Sequence, residues 1–218
     1  MKLFIDSGNI KDIETLASIG IIDGVTTNPT LLAKEPGDYR DNLKKICQIV
    51  HGPVSGEVTA TDFGGMMHQG HDIAAIDEHM VVKVPLTRDG IKACRALSDE
   101  GVRVNVTLCF SAAQALLAAK AGATFVSPFV GRLDDIATNG MELIREIIEI
   151  YDNYEFTTEV LVASCRHPIH IVEAARMGAD ICTCPPAVID QLFNHPLTNI
   201  GLEKFLKDWE KSHATAKV

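Results

Sequence analysis

Eight short apolar segments recur along the whole chain, and a segment with helical spacing follows each of them. The short segments are residues 2–6, 24–29, 53–59, 80–85, 102–107, 124–129, 159–163 and 180–183. Strands that alternate with helices predict a parallel sheet, because parallel strands are connected by helical crossovers. The count of eight favours a (β/α)8 TIM barrel over an open doubly wound sheet, and no G-x-G-x-x-G follows the first strand.

We expect one compact α/β domain over residues 1–218, since no linker or low-complexity segment interrupts the alternation. A chain of 218 residues, 46% of them hydrophobic, is long enough for a large core. A C-terminal helix closes the sequence and carries an apolar stripe from Leu202 to Trp209. This stripe either packs on a neighbouring copy or closes the barrel's own floor.

Composition argues against several classes of partner. The net charge of −9 and the pI of about 5.3 disfavour nucleic acid and anionic membranes. No apolar run approaches the roughly 20 residues that span a bilayer. The six cysteines are scattered without a C-x-x-C pair, and the first residues are charged too soon for a targeting segment. We therefore expect reduced, mostly buried thiols in a cytoplasmic protein.

The fourth apolar segment, residues 80–85, is broken by one charged residue, Lys83. A short β-branched run of this kind predicts a buried strand. Burial favours the neutral form of an amine, and a neutral amine is a nucleophile. The alternative is a lysine at a strand end whose ammonium reaches solvent.

Polar side chains occupy alternate positions near the C-terminal strand ends. Asn105 and Thr107 share one strand face, for example, and Val104 and Val106 share the other. The residues at these ends are Asp6, Asn28, Glu57, Lys83, Asn105, Thr107, Ser127, Phe129 and Ser164. In a TIM barrel the strand ends meet at one mouth, where active sites lie. A lysine among carboxylates and hydroxyls indicates Schiff-base chemistry on a carbonyl substrate.

Two arginines follow neighbouring strands. Arg132 comes after the sixth strand and Arg166 after the seventh. Matching positions on adjacent loops predict a phosphate site, because paired guanidinium groups bind phosphate by charge-assisted hydrogen bonds. The alternative for each arginine is a surface ion pair.

We expect no metal site. His68 with His71, and His167 with His170, are pairs spaced three residues apart. Neither pair lies in a motif such as H-E-x-x-H, which supplies a positioned carboxylate and an open coordination site.

Five motifs resemble those of the transaldolase family. They are Phe4-Ile5-Asp6-Ser7, Gly24-Val25-Thr26-Thr27-Asn28-Pro29, Val82-Lys83-Val84-Pro85, Asn105-Val106-Thr107-Leu108 and Ser127-Pro128-Phe129-Val130-Gly131-Arg132. The resemblance covers essentially the whole chain, with the motifs in family order. It is closest to the short branch of the family, which also contains fructose-6-phosphate aldolases.

The resemblance implies a class I aldolase mechanism in which Lys83 forms a Schiff base with the ketose C2. Asp6 would take and return the C4 hydroxyl proton, while Glu57 and Thr107 would relay protons through a water. The implied substrate-binding residues are Thr26, Asn28, Asn105, Ser127 and Phe129 around the sugar, and Arg132, Ser164 and Arg166 around its phosphate. The protonated imine is the electron sink, so the resemblance implies no cofactor.

The implied activity is transfer of a dihydroxyacetone unit between sugar phosphates of the non-oxidative pentose phosphate pathway. Fructose-6-phosphate or sedoheptulose-7-phosphate would be the donor, and erythrose-4-phosphate or glyceraldehyde-3-phosphate the acceptor. The same resemblance implies a homo-oligomer, a pentamer or decamer.

Two positions separate the branches of the family. The aldolases carry glutamine where Glu57 stands and tyrosine where Phe129 stands, so this chain has the transaldolase residue at both. One alternative is a fructose-6-phosphate aldolase that releases free dihydroxyacetone. Others are a deoxyribose-phosphate type of aldolase, which would need a second lysine near the imine, and a non-catalytic sugar-phosphate-binding barrel.

Overall fold

The computed structural model describes residues 1–215 and contains a closed parallel barrel. Its strands, β1 to β8, are Lys2–Asp6, Gly24–Thr26, Val54–Glu57, Met80–Pro85, Val104–Cys109, Phe125–Pro128, Glu159–Val162 and Ile181–Cys184. Each strand pairs with the next in the sequence, and β8 pairs with β1. The (β/α)8 fold is therefore confirmed. The extent of the domain over residues 1–218 stays a prediction, and residues 216–218 lie outside the described residues.

Helices connect the strands and cover the outside of the barrel. Within the described residues they are, from α1 to α11, Ile10–Ala17, Pro29–Leu32, Tyr39–Val50, Phe63–Ala74, Arg88–Asp99, Ala112–Lys120, Val130–Asp134, Gly140–Asn153, Pro168–Met177, Pro186–Gln191 and Pro196–Thr215. Ser111 caps α6, since its side chain accepts a hydrogen bond from the Gln114 N–H. This bond satisfies one of the donors that a helix start leaves without a partner.

The alternation of strand side chains separates two cores. Val82 and Val84 belong to the large outer core between the strands and the helices. Val81 belongs to a smaller inner core, whose fully or almost fully buried members are Phe4, Val81, Phe125, Leu161, Ala163 and Ile181. Because Val81 and Lys83 share a strand face, the inner apolar layer lies directly below the polar mouth.

Helical spacing of apolar residues predicts one helix from residue 134 to residue 151, and this prediction is wrong at its start. Helix α7 ends at Asp134, and α8 begins only at Gly140. Ala137 adopts a left-handed conformation with a φ of 59°, which interrupts the helical path. A Cβ at Gly140 would lie 2.4 Å from the Val130 carbonyl oxygen, so this close turn requires glycine. The second strand is likewise shorter than predicted, because Asn28 caps α2.

The apolar stripe of α11 does not close the barrel floor. Phe205 and Trp209 are 72% and 64% exposed, and Leu202 and Leu206 are exposed as well. Among residues 1–215, no helix is both long enough and apolar enough to cross a membrane.

Candidate active site

Lys83 lies inside the barrel near the C-terminal end of β4 and is only 4% exposed. Its Nζ is 3.0 Å from the Glu57 Oε2 and donates a hydrogen bond to the Thr27 carbonyl oxygen at 3.0 Å. The sequence-based prediction that this lysine is buried is therefore confirmed. An enclosed amine beside a carboxylate that can exchange protons with it is suited to covalent catalysis on a carbonyl.

Glu57 reaches Lys83 because the two residues are register partners on β3 and β4. Residues at equal height on neighbouring parallel strands project to the same side of the sheet. The Glu57 side chain is 16% exposed, so it contacts both the amine and the cavity above it. A carboxylate in this position can exchange protons with the amine and with a bound substrate.

Asp6 is the last residue of β1, on the opposite side of the mouth. Its Oδ1 accepts a hydrogen bond from the Thr26 Oγ1 at 2.8 Å. The Thr26 Oγ1 in turn lies 2.7 Å from the Thr183 Oγ1. Burial raises the pKa of Asp6, although the nearby charge of Lys83 and the hydrogen bond from Thr26 both oppose this shift. The raised pKa makes the Asp6 carboxylate a stronger proton acceptor than an ordinary aspartate.

A short polar chain crosses the barrel between β6 and β3. The Ser127 Oγ donates to the Asn105 Oδ1 at 2.8 Å, and the Asn105 Nδ2 donates to the Ser55 Oγ at 3.1 Å. Asn105 is fully buried, while Ser127 lines the cavity above it. The buried amide thereby fixes the orientation of the serine hydroxyl.

Thr107 differs from the other buried polar residues. Among the residues described, its Oγ1 is the one buried side-chain oxygen or nitrogen without a hydrogen-bond partner. An unsatisfied buried hydroxyl costs free energy, so a native protein seldom keeps one without a reason. Thr107 lines the mouth, where a bound substrate or water can supply the missing partner.

Two residues next to this site have left-handed backbone conformations. Leu108 after Thr107 and Ser164 after β7 both have a φ of 59°. Such conformations are costly for residues other than glycine and concentrate at functional sites. Leu108 also lies within the register shift between β5 and β6.

Two cavities of about 140 and 420 Å³ occupy the mouth, and they share Lys83, Asn28, Phe129 and Arg132 as lining residues. All the predicted site residues except Asn105 and Arg166 line one or both of them: Asp6, Thr26, Asn28, Glu57, Lys83, Thr107, Ser127, Phe129, Arg132 and Ser164. A larger groove of about 660 Å³ lies on the outer surface between α8 and α9. Its lining contains the exposed ion pair of Glu142 and Arg145 and none of the buried polar residues of the described chain.

The structure separates the two predicted phosphate-binding arginines. Arg132 lines both cavities, and its guanidinium lies over the Phe129 ring at 5.2 Å from the centroid. Arg166 is half-exposed and pairs through two hydrogen bonds with the Asp135 carboxylate. The Asp135 carboxylate, which no sequence pattern connects to Arg166, therefore holds its guanidinium outside the cavity.

Two further residues at the site escaped the sequence-based selection. Ser55 and Thr183 complete the hydrogen bonds of Asn105 and Thr26. The sequence nonetheless indicates both residues, because each lies two positions from another inward-facing residue of the same strand.

The paired histidines are engaged with different acidic partners. The His71 Nε2 lies 2.6 Å from a Glu100 oxygen, and the His170 Nε2 lies 2.9 Å from the Asp134 Oδ2. Within residues 1–215, no group of three or more histidine, cysteine or acidic side chains is arranged to hold a metal ion. The six cysteines are buried, and none forms a disulfide.

Comparisons with known proteins point to one family. A family model described as transaldolase/fructose-6-phosphate aldolase matches residues 3–216. A protein of Anaeromyxobacter sp. strain K, named probable transaldolase, is 57% identical over 97% of both chains. A protein of Kosmotoga olearia with the same name is 54% identical, also over 97% of both chains.

A solved structure shares the fold at low identity. Thiamine phosphate pyrophosphorylase from Pyrococcus furiosus superposes with a TM-score of 0.60 at 15% identity, covering 86% of each chain. At this identity the likeness concerns the barrel alone.

Proposed function

Because the chain belongs to the transaldolase/fructose-6-phosphate aldolase family, we propose that it transfers a dihydroxyacetone unit from a ketose phosphate to an aldose phosphate. The observation that carries this proposal is the buried Lys83 at the barrel mouth, with its Nζ 3.0 Å from the Glu57 carboxylate. Fructose-6-phosphate or sedoheptulose-7-phosphate is the donor. Erythrose-4-phosphate or glyceraldehyde-3-phosphate is the acceptor, as in the non-oxidative pentose phosphate pathway.

The first step joins the substrate to Lys83. The lone pair of the Nζ attacks the ketose C2, and the carbonyl oxygen takes up a proton to give a carbinolamine. Loss of that oxygen as water then leaves a protonated imine. Glu57 contacts the amine and Thr107 lines the same cavity, so these two residues are suited to move the protons of this step.

The second step breaks the C3–C4 bond. Asp6 removes the proton of the C4 hydroxyl, the C3–C4 electrons move toward the imine, and the aldehyde leaves. The raised pKa of Asp6 suits this proton acceptor. The remaining enamine attacks the carbonyl carbon of the acceptor aldose, Asp6 returns the proton, and hydrolysis of the imine releases the new ketose.

The sugar hydroxyls are held by groups with a remaining hydrogen-bonding capacity. The Asn28 Oδ1 accepts from the Leu31 N–H at 2.9 Å, which leaves its Nδ2 to donate. Ser127 donates to Asn105, which leaves the Ser127 Oγ to accept. Thr26 steadies Asp6 in the same cavity. Arg132 and Ser164 bind the substrate phosphate, and Arg166 joins them when it leaves Asp135.

Two residues favour transfer over simple release. Glu57 supplies a carboxylate beside the amine, and Phe129 lines the cavities without a hydroxyl. Release of free dihydroxyacetone needs a proton at C3 of the enamine, and a phenyl ring cannot deliver one. The enamine therefore waits for an aldose acceptor.

Glyceraldehyde-3-phosphate release from fructose-6-phosphate, with and without erythrose-4-phosphate, tests the proposal. We expect release that requires the acceptor and forms sedoheptulose-7-phosphate in equal amount. Sustained release without acceptor would instead make the enzyme a fructose-6-phosphate aldolase. Borohydride in the presence of the donor should attach the sugar to Lys83 in the wild type and not in Lys83→Ala. Lys2→Ala is the control, because Lys2 pairs with Glu159 at the other end of the barrel.

The assembly and compartment are also proposals. The exposed stripe of Leu202, Phe205, Leu206 and Trp209 on α11 supports a homo-oligomer, since an apolar patch of this kind marks an interaction surface. The unbridged cysteines support a cytoplasmic location, where thiols stay reduced.

A further inference from the structure

The tip of the Arg166 side chain is held at one place, by Asp135. The Arg166 Nη2 donates to the Asp135 Oδ2 at 2.6 Å, and the Nη1 donates to the other carboxylate oxygen. Both side chains are about half-exposed. The guanidinium is thus held by a solvated carboxylate at the end of α7, outside the cavity that Ser164 lines only two residues earlier.

The backbone of Arg166 is fixed separately from its side chain. The Arg166 N–H donates to the His170 Nδ1 at 3.3 Å, and the His170 Nε2 contacts the Asp134 Oδ2 at 2.9 Å. His170 is almost completely buried. The Gly131 N–H also donates to the Ser164 carbonyl oxygen at 3.2 Å, which ties α7 to the same loop. These contacts do not depend on where the guanidinium lies, so the side chain can move while the loop stays in place.

The path of the side chain runs directly over a glycine. A Cβ at Gly131 would lie 2.7 Å from the Arg166 Nε, so the arginine packs against the bare backbone of α7. The next residue, Arg132, lies on the cavity side of the same short helix and has no acidic partner among residues 1–215. Arg132 and Ser164 therefore form one part of an anion site whose second arginine is held nearby.

We propose that Asp135 is a specificity-determining residue, which holds the Arg166 guanidinium outside the cavity until a substrate phosphate draws it in beside Arg132 and Ser164. The inference rests on the proposed function, because it identifies a residue that moderates the preference of that site for phosphorylated over unphosphorylated sugars. Only the Arg166 side chain moves, and in the absence of a substrate phosphate it pairs with the Asp135 carboxylate.

The strengths of the competing interactions favour this exchange. A solvent-exposed ion pair contributes little, because water and salt screen it. A phosphate dianion offers the guanidinium two oxygens and is shared with Arg132, so it competes effectively with Asp135. An unphosphorylated sugar offers only neutral hydroxyls and leaves Arg166 on Asp135. The carboxylate thus weakens phosphate binding slightly and leaves neutral substrates unaffected.

Asp135→Asn tests the proposal, because asparagine keeps the shape of the side chain and removes its charge. We expect the KM for fructose-6-phosphate to fall roughly two- to fivefold, the change that loss of one exposed ion pair produces. The KM for unphosphorylated fructose and the kcat for both substrates should stay the same. Asp99→Asn is the matched control, since Asp99 forms a similarly exposed pair with Arg95 on α5.

Binding of inorganic phosphate, measured by calorimetry, gives a readout that needs no turnover. We expect tighter binding in Asp135→Asn than in the wild type, and no difference between Asp135→Asn and wild-type Asp135 when Arg166 is alanine in both. Unchanged or weaker phosphate binding in Asp135→Asn would overturn the inference, even in an active transaldolase. Tighter binding in a protein without transaldolase activity would uphold it and reject the proposed function instead.

Discussion

The Oε2 of Glu57 lies 3.0 Å from the Nζ of Lys83, and the two residues are register partners on neighbouring strands. The barrel therefore fixes the distance between the amine and the carboxylate without help from a loop. The Nζ also donates to the Thr27 carbonyl oxygen, so the amine is held from two sides. This preorganisation gives Glu57 a role in proton transfer that can be separated from the role of the lysine itself.

Glu57→Gln should slow formation of the Schiff base while leaving Lys83 in place. Glutamine can still hydrogen-bond to the amine, but it cannot take up a proton. We expect the rate of borohydride-trappable imine formation to fall about 10²-fold, within the range for loss of a general acid–base group. Rapid-quench trapping with fructose-6-phosphate measures this rate.

Glu159→Gln is the control for that change. Glu159 forms a lysine–glutamate pair with Lys2, at 2.8 Å, near the opposite end of the barrel. We expect its imine formation to match that of the wild type. A wild-type rate in Glu57→Gln would show that another group moves the protons.

Thr107→Val should lower turnover without destabilising the folded protein. The Thr107 hydroxyl is buried without a hydrogen-bond partner among the described residues, so removing it breaks no hydrogen bond within the protein. We expect the free energy of unfolding to change by less than about 1 kcal/mol. Turnover should fall roughly 10²-fold, because the relay through this hydroxyl is lost. Denaturant unfolding and initial rates measure the two effects.

Thr158→Val provides the opposite pattern. The Thr158 Oγ1 is buried and donates to the Ala123 carbonyl oxygen at 2.7 Å. Removing this donor leaves the carbonyl oxygen unsatisfied, so we expect a loss of about 1–3 kcal/mol in unfolding free energy. Turnover at a temperature where the variant is folded should not change. A similar destabilisation in Thr107→Val would mean that the Thr107 hydroxyl has a structural partner.

Asp6→Asn should stabilise the protein and abolish turnover. Burial raises the pKa of Asp6, so the ionised carboxylate is less favourable in the folded protein than in the unfolded chain. Asparagine removes this cost at neutral pH and can still accept the hydrogen bond from Thr26. We expect the Tm to rise by a few degrees, because 1 kcal/mol corresponds to roughly 2–4 °C for a protein of this size.

The pH dependence of that stabilisation follows from the direction of the pKa shift. The wild type keeps its full stability below the pKa of the unfolded carboxyl and loses some of it as pH rises through the raised pKa of the folded protein. The Tm difference between Asp6→Asn and the wild type should therefore be small in acid and grow toward neutral pH. A difference that grows toward acid would reverse the sign and contradict the assignment.

The period-two pattern of the strands accounts for what the sequence predicted well. Lys83 and Thr107 occupy inward positions because the valines beside them pack outward. This alternation applies only within the strands, so it does not predict contacts between the loops that follow them. The partner of Arg166 is Asp135, on a different loop 31 residues earlier, and no periodicity connects the two. The break before α8 depended on the close approach of Gly140 to the Val130 carbonyl oxygen, which is a tertiary contact.

Phe129→Tyr should convert transfer into release. Phe129 lines both cavities together with Lys83, so a hydroxyl added to its ring enters the site where the enamine forms. A phenol can pass a proton to C3 of the enamine, after which hydrolysis of the imine frees dihydroxyacetone. We expect glyceraldehyde-3-phosphate release without erythrose-4-phosphate to rise roughly tenfold or more. A coupled assay for glyceraldehyde-3-phosphate measures it.

Phe110→Tyr is the matched control for the added hydroxyl. The Phe110 ring packs edge-on against Phe129 with centroids 5.8 Å apart, but Phe110 lines neither cavity. The control should keep the wild-type requirement for an acceptor. Equal acceptor-independent release in both variants would attribute the effect to loosened packing of the two rings. If only Phe129→Tyr gains release, the absence of one hydroxyl is what commits the wild-type enamine to an aldose acceptor.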